Sequence, residues 1–356
     1  MTPSPRLPLL ERALEFVLKI ALMLPALLVA LLVLGGVVGA ARAEEPGCAA
    51  TSLLPDFRQS GQYAELEKAA ADVPNGEGRV YRLHKDGVAD STLFGTMHLS
   101  DPRILALPPT AKAGFDAAKT LVIETTDILD GAKAQLAMLA RIDLVNLPAG
   151  KTLGDFLTPK QLSTVTKALD AAGIPLQSIQ TLQPWFFAAG VMMPGCETAR
   201  LAAGGQPLDL KLAMDAKAAG KEVLGLEAAT EQLEAMASLP MSLQVDSLIA
   251  TLALKDKLPA IFESMTELYL GGHIAMISPL SEAVMPPDQV TPETVAGYRA
   301  FDELIVTRRN HVMAERVLPI LAKGSAMVAV GALHLPGEEG LVALLRGAGY
   351  TVERLD

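Results

Sequence analysis

The feature that most constrains the fold of this chain is a set of four short apolar runs, each followed by a histidine or a glutamate. The runs cover residues 93–95, 121–123, 223–226 and 328–331. Runs of this length, separated by helix-like stretches, predict the strands of a parallel sheet joined by helical crossovers. We therefore predict an α/β (mixed α+β) fold, in which helices flank a central, mostly parallel sheet and the middle region is largely helical.

Two further elements lie next to these runs. Residues 79–84 alternate roughly with period two and meet the turn signal of residues 85–87, which predicts a β-hairpin leading into the first apolar run. A long helix should extend from Asp302 to Lys323, because its apolar residues share one face. Pro319 should bend this helix or end its regular part early.

The N-terminal 43 residues read as a targeting segment. Basic residues precede an uncharged run at 20–41, and a small-x-small site ends at Ala43, which is typical of a secretory signal. The run is also long enough to span a bilayer, so the alternative is a retained anchor with membrane association. Either segment places residues 44–356 outside the cytoplasm, in the periplasm or cell envelope. We predict one domain there, with helical insertions at about 131–205 and 231–300.

The cysteine content bears on whether the chain contains a disulfide. The chain has two cysteines, Cys48 and Cys196. In an oxidising compartment they are expected to form a disulfide, and two free buried thiols are the alternative.

Net charge is −10 and aromatic residues make up 4% of the chain. An acidic chain that is poor in aromatic residues is a poor partner for nucleic acid, so no nucleic-acid role is expected.

The candidate metal-binding and catalytic residues follow the ends of the four apolar runs. His98, Glu124, Glu227 and His334 each follow one run, and the carboxyl ends of parallel strands are where ligands bind. Two imidazoles with a carboxylate suit a divalent ion such as Zn²⁺, Mn²⁺ or Co²⁺. We predict His98, His334 and Glu124 as metal ligands, with a second carboxylate as general base. The alternative is that the histidines make local hydrogen bonds and that the glutamates are solvated strand ends or helix caps.

The long helix adds two arginines to this picture. Arg309 and Arg316 fall on its apolar face, and Asn310 lies at the edge of that face. An inward guanidinium needs an anionic partner. That partner is either an anionic ligand or a buried carboxylate, and the pattern does not decide between them.

In order along the chain, several motifs resemble the TraB/GumN family, which includes PrgY and Tiki proteins. They are Leu93-Phe94-Gly95-Thr96-Met97-His98-Leu99, Leu121-Val122-Ile123-Glu124, Gln183-Pro184-Trp185-Phe186, Gly225-Leu226-Glu227 with Gln232, Arg309-Asn310 and Val330-Gly331-Ala332-Leu333-His334. The resemblance implies an α/β core related to erythromycin-esterase-like and ChaN-like proteins. It departs from the family pattern before Asp209, where Pro207-Leu208 stands in place of an expected glycine.

The resemblance also implies an activity. In the Tiki branch the paired Gly-x-x-His elements and the glutamate belong to a divalent-metal-dependent protease. The expected function is therefore an exported metal-dependent hydrolase acting on a peptide or ester, with His98, His334 and Glu124 holding the metal and Glu124, Glu227 and Arg309 as catalytic residues. The alternative is a non-catalytic envelope protein that binds a metal, haem or glycan and is linked to polysaccharide export.

Overall fold

The computed structural model describes residues 50–284 and 302–356. In these residues one sheet is formed by β1 (Val80–Lys85), β2 (Val88–Thr96), β3 (Thr120–Ile123), β4 (Glu222–Gly225), β5 (Ala326–Gly331) and β6 (Thr351–Arg354). The strand order is β4-β3-β5-β2-β1-β6. The first four strands in this order pair in parallel, and β1 pairs antiparallel with β2 and β6. The prediction of a mostly parallel central sheet is confirmed.

Helices surround the sheet and fill the sequence between its strands. Up to β4 they are Leu54–Ser60, Gln62–Ala71, Pro102–Leu105, Pro109–Ala117, Gly131–Ala140, Pro159–Ala171, Leu176–Ile179, Pro184–Met192, Gly195–Ala202 and Leu208–Ala218. After β4 they are Ala229–Ala237, Met241–Leu254, Leu258–Leu270, Ile277–Ala283, Arg308–Leu321 and Leu341–Gly347. Short 3₁₀ turns lie at Asp127–Leu129, Ile142–Leu144, Leu153–Asp155, Lys255–Lys257, Ile274–Met276 and Ala332–His334.

The central strands are buried on both faces, which explains why they read as continuous apolar runs. In β3, Leu121 and Ile123 contribute to the core on one face, and Val122 contributes to a separate core on the other. The helices Arg308–Leu321 and Leu341–Gly347 cover the second of these faces. A third apolar cluster lies among the helices of the middle region, around Leu153 and Leu169.

The hairpin before the first site residue forms as predicted. β1 and β2 pair from Val80–Phe94 to Lys85–Val88, and Asp86-Gly87 makes the connection, with Gly87 at a φ of 78°. This positive φ is a conformation that glycine adopts without steric cost. The hairpin fixes the position from which β2 delivers its carboxyl end to the site.

The long helix differs from its prediction at both ends. Residues Asp302–Thr307 are π-helical, and the regular α-helix spans Arg308–Leu321. Pro319 lies inside it, two residues before its end. Arg316 does not point into the core as predicted. Its side chain is 44% exposed and pairs with Glu231, because the guanidinium at the end of a long stem reaches past the edge of the apolar face.

Several predictions fall on residues outside those described. They concern the targeting segment at 1–43, residues 285–300 of the second helical insertion, and Cys48, so the disulfide with Cys196 stays a prediction. In the described part of the chain, no helix by itself has the length and hydropathy of a membrane span. The bent pair Ala229–Ala237 and Met241–Leu270, with 96° between its parts, meets these two criteria together.

Candidate functional site

The carboxyl ends of the four parallel strands bring the predicted site residues together. His98 follows β2, Glu124 follows β3, Glu227 follows β4, and His334 ends the turn after β5. The exposed fraction is 0% for both histidines, 2% for Glu124 and 9% for Glu227. The glutamates are therefore not solvated strand ends.

Glu124 lies at the centre of the cluster. Its Oε1 accepts the backbone N–H of Gly331 at 2.8 Å, and its Oε2 accepts Arg309 Nη2 at 2.8 Å and Gln232 Nε2 at 3.2 Å. Burial favours the protonated carboxyl, but the charge of Arg309 and the neighbouring imidazoles outweigh it and hold the pKa of Glu124 well below its usual range. Glu124 is thus a carboxylate at neutral pH.

Both histidines direct Nε2 toward the same oxygen of Glu124. His98 Nε2 is 3.6 Å and His334 Nε2 is 3.9 Å from Glu124 Oε1. These separations are too long for hydrogen bonds, and among the described residues neither nitrogen has a hydrogen-bond partner. Buried polar atoms are rarely left unsatisfied. Two such atoms beside one carboxylate oxygen indicate a place for a ligand.

The two imidazoles differ in their protonation. Burial lowers the pKa of His98, but the charge and hydrogen bond of Asp209 outweigh it and raise that pKa to about 10. For His334, burial and the nearby Arg309 charge lower the pKa to about 3. At neutral pH, without a bound cation, His98 is therefore charged and His334 is neutral.

Arg309 has carboxylate partners from the protein itself. Its Nη2 lies 2.8 Å from Glu124 Oε2 and 2.8 Å from Glu227 Oε2, and its Nε is 3.1 Å from both oxygens of Glu227. Gln232 Nε2 also donates to Glu227 Oε2 at 3.1 Å. Of the two partners left open by the sequence, the structure has the buried ion pair. Because its carboxylate is occupied in this way, Glu227 is better placed to hold Arg309 than to act as a general base.

The site also contains two residues outside the predicted set of metal ligands and catalytic residues, of which Asn310 had been expected to be able to join the Arg309 network. Asp209, in the first turn of Leu208–Ala218, accepts a hydrogen bond from His98 Nδ1 on Oδ2 and from the Thr96 hydroxyl on Oδ1, at 2.6 Å for the latter. Asn310 Oδ1 lies 2.6 Å from His334 Nδ1. In the sequence, Asn310 was indicated by its position at the edge of the apolar face of the helix that carries Arg309. The departure at Pro207-Leu208 leaves the Asp209 carboxylate in contact with His98.

Gly95 is required by close packing. A Cβ there would lie 2.9 Å from Ala332 Cα and 2.7 Å from Leu335 Cδ1. The glycine therefore lets β2 approach the turn that carries His334. Tyr269 fixes the same segment, because its hydroxyl donates to the Gly95 carbonyl at 2.9 Å.

The donor atoms fit a divalent ion in number and kind. Ligands of a tetrahedral site with bonds of about 2.1 Å lie about 3.4 Å apart, close to the separations between Glu124 Oε1 and the two Nε2 atoms. In residues 50–284 and 302–356, no group of three or more His, Cys, Asp or Glu side chains has an arrangement that could hold a metal ion as it stands. Binding would therefore require the two imidazoles and the carboxylate to shift from their present positions.

Charge balance supports the same fit. Glu124, Glu227 and Asp209 carry three formal negative charges, Arg309 carries one positive charge, and all four residues are at least 91% buried. Buried charges are costly unless they are compensated. With both histidines neutral, a divalent cation would bring the sum over these described groups to zero.

A cavity of about 530 Å³ opens beside the cluster, and this volume is in the range of small-molecule sites. It is lined by residues of the turn after β5 and of the segment before Arg309, including Leu333, Asn310 and Val306. Neither histidine of the cluster, nor Glu124, lies among the described residues of its lining. Asn310 links this lining to the cluster, because its Oδ1 lies 2.6 Å from His334 Nδ1.

Comparison with known proteins places the chain in a family. The model of the TraB/PrgY/gumN family matches residues 80–354. Metalloprotease TIKI1 of Danio rerio is 25% identical over 305 residues, covering 74% of this chain and 60% of that protein. Uncharacterized protein YbaP of Shigella flexneri is 24% identical over 262 residues, covering 73% of this chain and 89% of that protein.

No solved structure gives a significant match. The chain spans about three fifths of the length of TIKI1. The family match covers all six strands of the sheet. It also contains the site residues His98, Glu124, Glu227, Arg309 and His334. The chain belongs to the TraB/PrgY/gumN family.

Proposed function

We propose that this protein is a divalent-metal-dependent hydrolase, of metallopeptidase type, with its metal held by His98, His334 and Glu124. The observation that carries the proposal is the pair of buried Nε2 atoms, 3.6 Å and 3.9 Å from one oxygen of Glu124, with no other partner among the described residues. The name of the relative TIKI1, a metalloprotease, agrees with it.

The residues around the metal position have separable roles. A bound divalent ion would polarise the scissile carbonyl and lower the pKa of an attacking water. Arg309 keeps Glu124 ionised and in place through the 2.8 Å bond to Oε2. The Gly331 N–H holds Oε1 at 2.8 Å, so the carboxylate is fixed from both sides. Glu227 balances the charge of Arg309 and orients it.

The substrate would approach from the 530 Å³ cavity. A peptide or ester group lying there would not touch the two histidines, which are fully buried and absent from the described lining. Substrate and water would reach the metal by movement of the Leu333 side chain, while Asn310 keeps its bond to His334. We propose a peptide as substrate and an ester as the second candidate.

The proposal is tested with the full chain after removal of metal. Libraries of peptides and esters are assayed with Mn²⁺, Co²⁺ and Zn²⁺ added separately, for the wild type and for His98→Ala and His334→Ala. Turnover should need added metal and should be lost in both variants. His273→Ala is the matched control, because His273 is exposed and pairs with Glu77.

Two results would reject the hydrolase proposal. Activity that survives in both histidine variants would remove the site from the reaction. Metal binding without turnover of any library would favour the non-catalytic, metal-binding envelope protein.

We also propose that the protein is exported. The supporting feature is the basic N-terminus followed by the apolar run at 20–41. N-terminal sequencing of protein isolated from its native envelope tests this: a start at Glu44 supports cleavage after Ala43, an intact N-terminus in the membrane fraction supports an anchor, and recovery in the cytosol rejects export.

A further inference from the structure

The proton positions on His334 follow from its hydrogen-bond chain. Asn310 lies between the Glu339 carbonyl, 2.8 Å from its Nδ2, and His334 Nδ1, 2.6 Å from its Oδ1. A backbone carbonyl can only accept, so the amide nitrogen of Asn310 must face it. The amide oxygen then faces His334 and can also only accept. Nδ1 of His334 therefore carries the proton, and its Nε2 is left with a lone pair.

His98 is held by a second chain of the same kind. The Thr96 hydroxyl donates to Asp209 Oδ1 at 2.6 Å, which leaves Oδ2 as the acceptor for His98 Nδ1. Asp209 is 3% exposed, so water does not compete for these bonds. His98 therefore carries a proton on Nδ1 in both the charged and the neutral form of its ring, and its Nε2 lies 3.6 Å from Glu124 Oε1.

We propose that Asn310 and Asp209 are positioning residues that fix the two histidines with Nδ1 protonated and with Nε2 turned toward one shared position. The inference rests on the proposed metal site and specifies how the protein prepares it. The orientation of His334 derives from the main chain at Glu339, whereas that of His98 derives from a carboxylate and a hydroxyl. Groups that hold the far nitrogen of a ligating histidine commonly change metal affinity by about 10- to 100-fold when they are removed.

The first experiment reads the proton position without metal. The chain has five histidines, so ¹⁵N-histidine labelling gives a spectrum that can be assigned, with His334→Gln identifying the His334 signals. Metal-free wild type should have His334 with Nδ1 protonated and Nε2 unprotonated. In Asn310→Ala the preference should be lost, with both neutral forms of the ring present. A wild-type proton on Nε2 of His334 overturns the inference.

The second experiment measures affinity for Co²⁺ by its absorption in competition with a chelator. Asn310→Ala should bind Co²⁺ about 10- to 100-fold more weakly than wild type. His311→Gln is the matched control. His311 also contacts Glu339, but it does so through the Glu339 side chain and in an exposed position. The control should change neither the Co²⁺ affinity nor the His334 tautomer. Equal affinities for Asn310→Ala and wild type overturn the role of Asn310.

A pair of variants tests the Asp209 chain. Asp209→Ala removes the acceptor for His98 Nδ1, so Co²⁺ affinity should fall about 10- to 100-fold. Asp209→Asn keeps an acceptor, because its amide oxygen can face His98 while its nitrogen donates to the Thr96 hydroxyl, and it should bind Co²⁺ more tightly than Asp209→Ala. Asp209→Ala that binds Co²⁺ as tightly as wild type overturns the proposed role of Asp209.

The two proposals fail in different ways. Wild type that binds no Co²⁺ rejects the metal site, while the metal-free tautomer of His334 still decides the positioning by Asn310. If Asn310→Ala does not fold, the wild-type spectrum and the Asp209 variants decide.

Discussion

Gly331 donates its backbone N–H to Oε1 of Glu124 at 2.8 Å. The bond joins the end of β5 to the end of the neighbouring β3, just before the turn that carries His334. It therefore sets the distance between the carboxylate and the second histidine through the main chain. The same Oε1 lies 3.6 Å and 3.9 Å from the two Nε2 nitrogens, so the geometry of the site depends on the register of two adjacent strands.

Arg309→Met should strongly destabilise the protein. The substitution leaves the Glu124 and Glu227 carboxylates buried without their shared cation, and breaking a buried pair costs about 3–5 kcal/mol. The free energy of unfolding, from urea denaturation followed by circular dichroism, measures the loss. Arg308→Met is the control, because that side chain is 65% exposed and its loss should change stability by about 0.5 kcal/mol or less. Equal effects of both substitutions would contradict the buried network.

Divalent metal should stabilise the folded chain through the two histidines. A ligand at 100 times its dissociation constant adds about 2.7 kcal/mol when it binds only the folded state. Thermal unfolding with and without Co²⁺ should show an increased Tm for wild type and for His273→Ala. The increase should be absent in His98→Ala and in His334→Ala. Stabilisation of those variants to the wild-type extent would place the metal elsewhere.

Val306→Trp should fill part of the cavity without changing the metal site. Val306 lines the 530 Å³ space, and an indole there reduces the room for a substrate. We expect KM to rise at least several-fold while the Co²⁺ affinity remains within twofold of wild type. Unchanged KM for a hydrolysed substrate would mean that the substrate approaches from another side.

The Asp101 carboxylate should make stability depend on acid pH. Burial favours its protonated form, but the hydrogen bonds from Arg103 outweigh this and lower the pKa of Asp101 below its ordinary 3.8. Its contribution is therefore present above the pKa of the unfolded chain and is lost as pH falls through the lower folded pKa. Asp101→Asn should unfold at lower urea than wild type at pH 7, and the difference should shrink below about pH 4. A difference between Asp101→Asn and wild type that stays the same from pH 7 to about pH 3 would contradict this contribution.

Gly95→Ala should destabilise the protein because its Cβ would meet the backbone of Ala332 at 2.9 Å. Overpacking of this kind costs about 1–3 kcal/mol. Gly131→Ala is the matched control, since Gly131 begins a helix and no atom lies within 4 Å of its added Cβ. We expect Gly131→Ala to be neutral or slightly stabilising in urea denaturation. A neutral Gly95→Ala would contradict the close approach of β2 to the turn after β5.

The local patterns were sufficient to predict β1 to β5 and the residues at the carboxyl edge of the sheet, but β6 was not predicted. The runs in β2, β3 and β5 are apolar because these strands are buried on both faces, and such runs can be recognised in a sequence, whereas β4 lies at the edge of the sheet and is partly exposed. The inward position of Arg309 followed from helical periodicity in the same way. Arg316 was predicted wrongly from that periodicity, because a long side chain can reach past the face on which its Cα lies.

Local sequence was enough to assign His98, Glu124, Glu227 and His334 to strand ends of one sheet, because strand ends and their first polar residues are local features. The pairing of Arg309 with two glutamates became evident only in the folded protein, as did the contacts of Asp209 and Asn310 with the far nitrogens of the histidines. Asp209 and His98 are 111 residues apart, and Asn310 comes from a helix on one face of the sheet. A hydrogen bond is specified by distance and direction between groups remote in the chain, and no local pattern encodes either.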